Sequence, residues 1–475
     1  MTTLREHVHL MGIGGTGLSA IARILKARGY QVSGCDKHPG PAGEALRALG
    51  IPVYAGHDPN HLEGVTFLLR SSAVPPHHPE VEAARRRGLL VYTRSQFLPF
   101  LTRGYRTLAV AGTHGKTTTT AMLAWTLLQL DRDPSYIVGG TMVNTGTNGY
   151  AGQGTYFVIE ADEYDHMFLG LQPAGGILTY VDYDHPDFFP DREAYRRAFR
   201  AFVDRFLPQS PLVYWAADEE ARRILQGASH LRVRTYGLEA GSDYRAVEVE
   251  RHPEGTRFEV EHAGRRLAQV HLPLPGEHNV RNALAVLALV HLLGEDVAAA
   301  AQALAAFQGV ERRFTVVAEV AGWVLVNDYG HHPVEIATTL EAARQRYPEH
   351  RLWAVWQPHT YSRTLRLLPQ FAQALRRADG LVVTGVYPAR EEAPPDFQEE
   401  TLFRALDHPR SFRVAQPVDA VPVLLSQVEP PAVVLLFSAG DAPVMLEVLA
   451  QALQGGDEAG IGEVAPVAKG AGHEE

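Results

Sequence analysis

Residues 111–120, AGTHGKTTTT, set two glycines, a lysine and a run of threonines between an apolar stretch and a leucine-rich helical pattern. Backbone amides beside a glycine approach an anion closely, and a helix N-terminus adds unpaired N–H groups and a favourable dipole. The stretch therefore reads as a phosphate cradle. Gly112, Thr113, His114 and Gly115 supply amides, Lys116 a charge for the β/γ-phosphates, Thr117 a hydroxyl for Mg2+, and Thr118 continues the helix start. It is shorter than the usual P-loop, because Val110 stands where the first glycine belongs. Lys116 is conspicuous in a chain whose other lysines are only Lys26, Lys37 and Lys469. Its side chain is expected on a solvent-facing loop, contributing charge rather than packing.

A second glycine turn, Gly12-Ile-Gly14-Gly15-Thr16-Gly17, follows an apolar run, and Asp36 lies nineteen residues beyond its last glycine. That is a dinucleotide fingerprint in the right context, yet the same turn can receive any diphosphate. By itself it would suggest an NAD-dependent dehydrogenase. Two further apolar runs end in acids, IEADEYD and VDYDH, so Glu160 and His185 fall at the strand edge that carries the cradle. Carboxylate oxygens suit Mg2+, and an imidazole can join a site that already holds nucleotide phosphate. Asp162, Glu163, Asp165, Asp182 and Asp184 crowd the same edge, and spacing does not separate ligands from solvated acids. The adjacent His331-His332 pair has no Cys/His partners at zinc-ligand spacing, so no zinc site is expected there. His77-His78, in PPHHP, reads as surface.

The elements that must hold these residues alternate. An apolar run at 8–13, a helical pattern ending at Gly29 and the run QVSGCD open a Rossmann-like unit that continues to residue 104. A second α/β block, residues 105–313, carries the cradle and, at 243–272, a two-residue alternation around His252–Gly255 that predicts an antiparallel hairpin. A third block, 314–454, has strands expected at 323–327, 351–356, 380–386 and 432–437. Residues 455–475 are Gly/Ala/Glu-rich and read as a disordered tail. The predicted fold class is α/β in three domains: a Rossmann-like N-terminal domain, a central P-loop mononucleotide-binding domain and a Rossmann-like C-terminal domain.

Composition narrows the function. A length of 475 residues accommodates about three domains. A formal net charge of −10 argues against a nucleic-acid surface. Cys35 is the sole cysteine, which excludes an internal disulfide. No apolar run of about eighteen residues and no signal-like N-terminus is present, so no membrane partner and a cytoplasmic location are expected. Oligomeric state is not legible.

Taken together, AGTHGKTT, IEADEYD, DYDH, HNVRNA, NDYGHHP and QPHTYSRT resemble the motifs of the Mur ligases, ATP-dependent amide-forming enzymes of cell-wall precursor synthesis, and most closely their alanine-adding branch. The resemblance implies that L-alanine is joined to the carboxylate of UDP-N-acetylmuramate through an acyl phosphate. It implies that Gly12, Gly14, Gly15, Thr16 and Gly17 hold the UDP diphosphate rather than NAD, with Asp36, Ser71 and Ser72 on the same substrate. Lys116 and Thr117 would serve ATP and Mg2+, and Glu160 and His185 a second Mg2+. His278, Asn279 and Asn282 would contact adenine and Asp328 the ribose. Tyr329, His331 and Arg363 would approach the amino acid or the muramoyl carboxylate. Many members have an arginine after QPH where this chain has Thr360, so Arg363 is expected to act alone or with Arg313. Residues 186–240 contain no lysine for the carbamylated lysine of other members, which favours the alanine branch over the later-acting ones. The alternatives are a recycling ligase that adds a tripeptide to the same sugar nucleotide and, in a different class, the dehydrogenase.

Overall fold

Strand His7–Met11 is buried along its whole length, as a strand must be when both faces of its sheet are covered. It lies at the centre of a five-stranded parallel sheet ordered Val53–Ala55, Gln31–Asp36, His7–Met11, Phe67–Arg70, Leu90–Thr93. That is the Rossmann strand order 3-2-1-4-5-6 without its sixth strand. The structure is a computed structural model that describes residues 6–389 and 391–455. Helix Thr16–Ala27 buries Leu18, Ile21, Ile24 and Leu25 and ends where Gly29 turns to φ +88°.

The central sheet has ten strands, with Arg106–Ala111 paired in parallel to Tyr156–Glu160 on one side and Gly175–Leu178 on the other. The segments carrying Lys116, Glu160 and His185 therefore leave adjacent strands at one edge, where ligands of open α/β sheets gather. The expected hairpin at 243–272 is instead a three-stranded meander, Tyr244–His252, Gly255–His262 and Arg265–Leu272. Its second reversal passes through Ala263 and Gly264, both at positive φ, and only one glycine announces it in the sequence.

The third sheet runs Thr315–Val320, Trp323–Asp328, Ala432–Phe437, Arg351–Trp356, Gly380–Val383, Ser411–Arg413, parallel except for its first strand. The strand expected to reach residue 386 stops at Val383. Helix Val444–Gly455 closes this domain, and the rest of the tail reading, 456–475, lies outside the described residues.

The domains meet at two junctions. The core of the first domain continues into the second, from Ile21 and Phe97 to Phe157 and Phe168. Gly149 lies so close to Ala20 that a Cβ there would approach its backbone to 2.6 Å, and Asn148 Nδ2 donates to Thr16 O at 2.8 Å. The third domain docks its helix Pro333–Arg346 on the meander, where Gln345 Nε2 donates to the carbonyls of His252 and Gly255.

Candidate active site at the junction of three domains

The cradle is built by backbone geometry that glycine alone tolerates. Gly115 precedes helix Lys116–Gln129 at φ +81°, and a Cβ on it would meet Asn282 Oδ1 at 2.9 Å. Gly112, at φ +137°, leaves only 2.2 Å between such a Cβ and Thr179 Oγ1. The first N–H groups of the helix are thus presented without side chains in the way. Thr113 is occupied in holding the loop, donating to Asp182 O and sharing a hydrogen bond with Tyr195 OH at 2.8 Å.

Lys116 is not on a solvent-facing loop. It is the first residue of the helix, its side chain is 13 % exposed, and Nζ donates to Gly112 O (2.6 Å), Thr113 O (3.1 Å) and Glu163 Oε2 (2.9 Å). Burial works against its charge, and the carboxylates of Glu163, Asp162 and Glu160 outweigh it, raising the ammonium above its usual range.

Thr117 Oγ1 donates to Glu160 Oε1 at 3.0 Å, and Gly139 N donates to Oε2 at 2.7 Å. Burial raises the Glu160 carboxyl despite opposing pulls from Lys116 and these donors. A half-buried carboxylate one hydrogen bond from a hydroxyl at a phosphate cradle is a fitting hard-oxygen set for Mg2+. His185, at φ +55°, points elsewhere on the same edge: Nε2 lies 3.8 Å from both Glu163 Oε1 and Asp184 Oδ2.

A cleft of about 490 Å³ joins the three domains. Thr16, Gly17 and Arg94 face it from the first, Lys116, Thr117, Glu160 and His185 from the second, and Tyr329, His331 and Arg363 from the third. A cavity of about 260 Å³ opens from it past Gly115, Thr117, Arg313 and Glu335. Its walls include His114, Thr118, His278, Asn279, Asn282 and Asp328, with Trp215 stacked under the Arg281 guanidinium at 4.3 Å. An aromatic face, amides and a carboxylate in one apolar cavity suit a nucleoside.

Not every expected residue reaches the cleft. Gly12, Gly14, Gly15, Asp36, Ser71 and Ser72 lie behind Thr16 and Gly17, at the strand ends of the first sheet. There Gly12 abuts Ser71, and a Cβ on Gly12 would lie only 2.8 Å from Ser71 Cβ. Asp36 accepts from the Gly14 and His38 N–H groups at 3.0 and 2.9 Å, so its carboxylate shapes the turn.

Several residues at the site lie in or beside the motifs without a role that spacing could assign them. Glu163 is the partner of Lys116. Asp184 receives Nε and Nη2 of Arg363 at 3.1 and 3.0 Å across the domain boundary, and both side chains are buried. Burial would raise the Asp184 carboxyl, but Arg363, with His185, His331 and His332, holds it well below the usual range. Glu335 is a hub, its carboxylate within 3.4 Å of His114 Nδ1 and 3.6 Å of Arg313 Nη1 and His331 Nδ1. Burial pushes His331 down to about 3, so its imidazole is neutral at ordinary pH. Arg281 sits inside HNVRNA and was within reach of the sequence. Trp215 was not.

Comparison with known proteins accords with this arrangement. Residues 7–106 match the Mur ligase family catalytic domain, 110–290 the Mur ligase middle domain and 312–440 the Mur ligase glutamate ligase domain. A UDP-N-acetylmuramate–L-alanine ligase of Halorhodospira halophila is 41 % identical over 431 residues, 89 % of this chain and 88 % of that one. One from Roseiflexus sp. is 38 % identical over 94 % of this chain and 99 % of its own length. The crystal structure of the UDP-N-acetylmuramate-alanine ligase from Thermotoga maritima superposes with a TM-score of 0.81 at 29 % identity, covering 95 % of this chain and 99 % of that one. With its three sheets, its shortened cradle and its cleft between three domains, the chain belongs to the Mur ligase family.

Proposed function

We propose that the protein is an ATP-dependent ligase that joins L-alanine to the lactyl carboxylate of UDP-N-acetylmuramate in peptidoglycan precursor synthesis. The observation that carries the reading is the single cleft in which Lys116 and the Thr117–Glu160 pair face Thr16 and Gly17 of the sugar-nucleotide turn and Arg363 and His331 of the third domain. The relatives at 41 % and 38 % identity, both UDP-N-acetylmuramate–L-alanine ligases, support it. Small molecules supply both substrates, and the nucleotide chemistry belongs in the cytoplasm. Among the described residues no helix is long and apolar enough to cross a membrane.

ATP enters with adenine between Trp215 and the His278–Asn282 turn, ribose at Asp328 and phosphates on the amides of Gly112–Thr118. A carboxylate is a poor electrophile, so the lactyl oxygen first attacks the γ-phosphorus, releasing ADP and leaving an acyl phosphate. Lys116 offsets the repulsion between these anions. Thr117 would hold the Mg2+ that accompanies the nucleotide, and Glu160, with His185 from the same edge, a second; these ions would supply further charge neutralisation on the phosphates. Arg363, alone or with Arg313, and Tyr329 orient the carboxylate and the amino acid. The alanine amine then attacks the acyl carbon, loses its proton to a neighbouring imidazole, and the tetrahedral adduct collapses to amide and phosphate. Closure of the third domain, fixed by Asp184 and Arg363, keeps water from the acyl phosphate.

Phosphate release with UDP-N-acetylmuramate and ATP, comparing L-alanine, glycine, L-serine and the tripeptide L-alanyl-γ-D-glutamyl-diaminopimelate as acceptors, tests the reading. L-Alanine should give the highest kcat/KM. Preference for the tripeptide would make the protein the recycling ligase, and hydride transfer from NADH without phosphate release would return it to the dehydrogenases.

A further inference from the structure

The first domain buries a group of ligating side chains that the ligase chemistry does not use. His9, on the central strand, faces Cys35 on the neighbouring strand, with Nε2 3.3 Å from Sγ. Glu80, from helix Pro79–Arg86, is fully buried against both, its Oε1 3.3 Å from His9 Nε2 and its Oε2 3.4 Å from Cys35 Sγ. His61 brings Nδ1 to 3.4 Å from Glu80 Oε1, and His57 brings Nδ1 to 3.1 Å from Cys35 Sγ. One ligand atom from each of His9, Cys35, His61 and Glu80 lies within 4.8 Å of all the others.

Glu80 Oε1 and His61 Nδ1 are both buried and complete no hydrogen bond, although they are within hydrogen-bonding distance of each other. Four ligands at bond lengths of about 2.0–2.3 Å around one tetrahedral ion stand roughly 3.3–3.8 Å apart, which is the spacing of the His9–Cys35, His9–Glu80 and His61–Glu80 edges, and every edge lies within 4.8 Å. The outer partner that a metal-bound imidazole needs is also in place. Ser33 Oγ is 2.9 Å from His9 Nδ1, leaving Nε2 for the centre, and is itself anchored 2.8 Å from His7 Nε2. His57 and His61 are partly exposed, so an ion has a way in.

We propose that His9 Nε2, Cys35 Sγ, His61 Nδ1 and the Glu80 carboxylate form a tetrahedral site for a divalent transition-metal ion, Zn2+ by its ligand chemistry, that clasps the first domain independently of catalysis. Two imidazoles, a thiolate and one carboxylate select Zn2+ over Mg2+, which prefers six oxygens. Binding converts the Cys35 thiol to a metal thiolate and sends its proton to solvent. Without the ion, burial and the Glu80 charge keep that thiol protonated. The clasp ties two strands, the loop after the third strand and one helix. It bears on the substrate turn as well, because Cys35 O accepts from the Gly12 and Ile13 N–H groups at 2.7 and 3.2 Å.

Cys35 is the only cysteine, so a thiolate signature reports this site and no other. The full-length protein, stripped with a chelator and returned to buffer containing excess Mg2+, is titrated with Co2+ and then Zn2+. One Co2+ per chain should bind with a thiolate-to-metal charge-transfer band and the intense visible bands of tetrahedral coordination. Zn2+ should displace it and raise Tm by several degrees. Cys35→Ser should lose the charge-transfer band, and His61→Ala should weaken binding by at least about tenfold. A wild-type protein that takes up no Co2+ beside Mg2+, or binds it without the thiolate band, overturns the proposal, and so does undiminished binding by His61→Ala. The wild-type spectrum decides by itself should either variant fail to fold.

Discussion

Lys116 stands between two opposite demands. In the proposed reaction its ammonium must be available to phosphate, yet it is packed against two carbonyls and Glu163, whose carboxylate is fully buried. Lys116→Ala should lower turnover by at least about 100-fold at saturating ATP, in line with the loss of one preorganised charge. It should also destabilise the central domain by about 3–5 kcal/mol, since Glu163 is left buried with the Tyr195 hydroxyl at 3.0 Å as its remaining close donor. Pairing it with Glu163→Gln should recover most of the Tm and none of the turnover. Near-normal turnover in the single variant would remove Lys116 from the chemistry. Glu160 carries the other assignment at this scale. Glu160→Gln should raise the Mg2+ concentration for half-maximal rate by about tenfold or more, and His185→Asn by less, because a carboxylate brings charge and an imidazole only a dipole. If His185→Asn leaves the Mg2+ curve unmoved while borohydride traps accumulated acyl phosphate, His185 is the base that takes the amine proton and not a metal ligand.

Helix Pro333–Arg346 shows how an element can depend on one protonation state. His332 is its N-cap, Nδ1 accepting from Val334 N at 3.4 Å, while Glu335 Oε2 reaches back to the His332 N–H at 3.2 Å. The cap needs a neutral ring. Burial, with the neighbouring His114, lowers His332 to about 4, against roughly 6.5 in an unfolded chain. The unfolded state therefore takes up the proton first. This contribution to stability is complete above about pH 6.5 and is lost as pH falls towards 4, by up to about 1.4 kcal/mol per pH unit. Asparagine is also a good N-cap and does not titrate. His332→Asn should flatten the fall in urea-unfolding free energy between pH 6.5 and 4 while changing stability at pH 8 by no more than about 1 kcal/mol. An unchanged slope would place the acid sensitivity elsewhere.

Over the full length of the chain, the arrangement of the domains rests on few polar contacts, and the Asp184–Arg363 pair is the most buried of those that reach the third domain. The Asp184 carboxyl is held well below the usual range, so its contribution is present above about pH 4 and is lost only as pH falls through the lower folded value. The clasp between domains should therefore persist at pH 5. Asp184→Asn leaves Arg363 buried without its counter-charge, a cost of about 3 kcal/mol that opening of the third domain can relieve. Small-angle scattering of the ligand-free variant should give a larger radius of gyration than the parent, with the thermal transition little changed. Equal radii would mean that the helix Pro333–Arg346 contact to the meander suffices to hold the domain.

What was legible in the sequence is what consecutive residues dictate. Gly12–Gly17 and Gly112–Thr118 were readable as strand-to-helix turns because a strand, a left-handed or close-packed glycine and a helix start are all local requirements, written within one short segment. The order of three α/β blocks followed from the same alternation of period and punctuation. Partner choice was not local. Glu163 and Asp162 are chemically alike one residue apart, and the positive φ values of Asp165 and His166 just beyond them belong to the turn that leaves Glu163, and not Asp162, against Lys116. Asp184 and Arg363 are 179 residues apart, and only the docking of the third domain brings them together. Trp215 reached the 260 Å³ cavity through the parallel pairing of Pro211–Trp215 with Gly175–Leu178. Likewise His9, Cys35, His61 and Glu80 show no ligand spacing, because the register that sets Met11 opposite Cys35 and His9 opposite Ser33 is a property of the sheet. Backbone preference is settled residue by residue, whereas the meeting of distant side chains is decided by how buried surfaces pack, and that is where the tertiary structure had the only say.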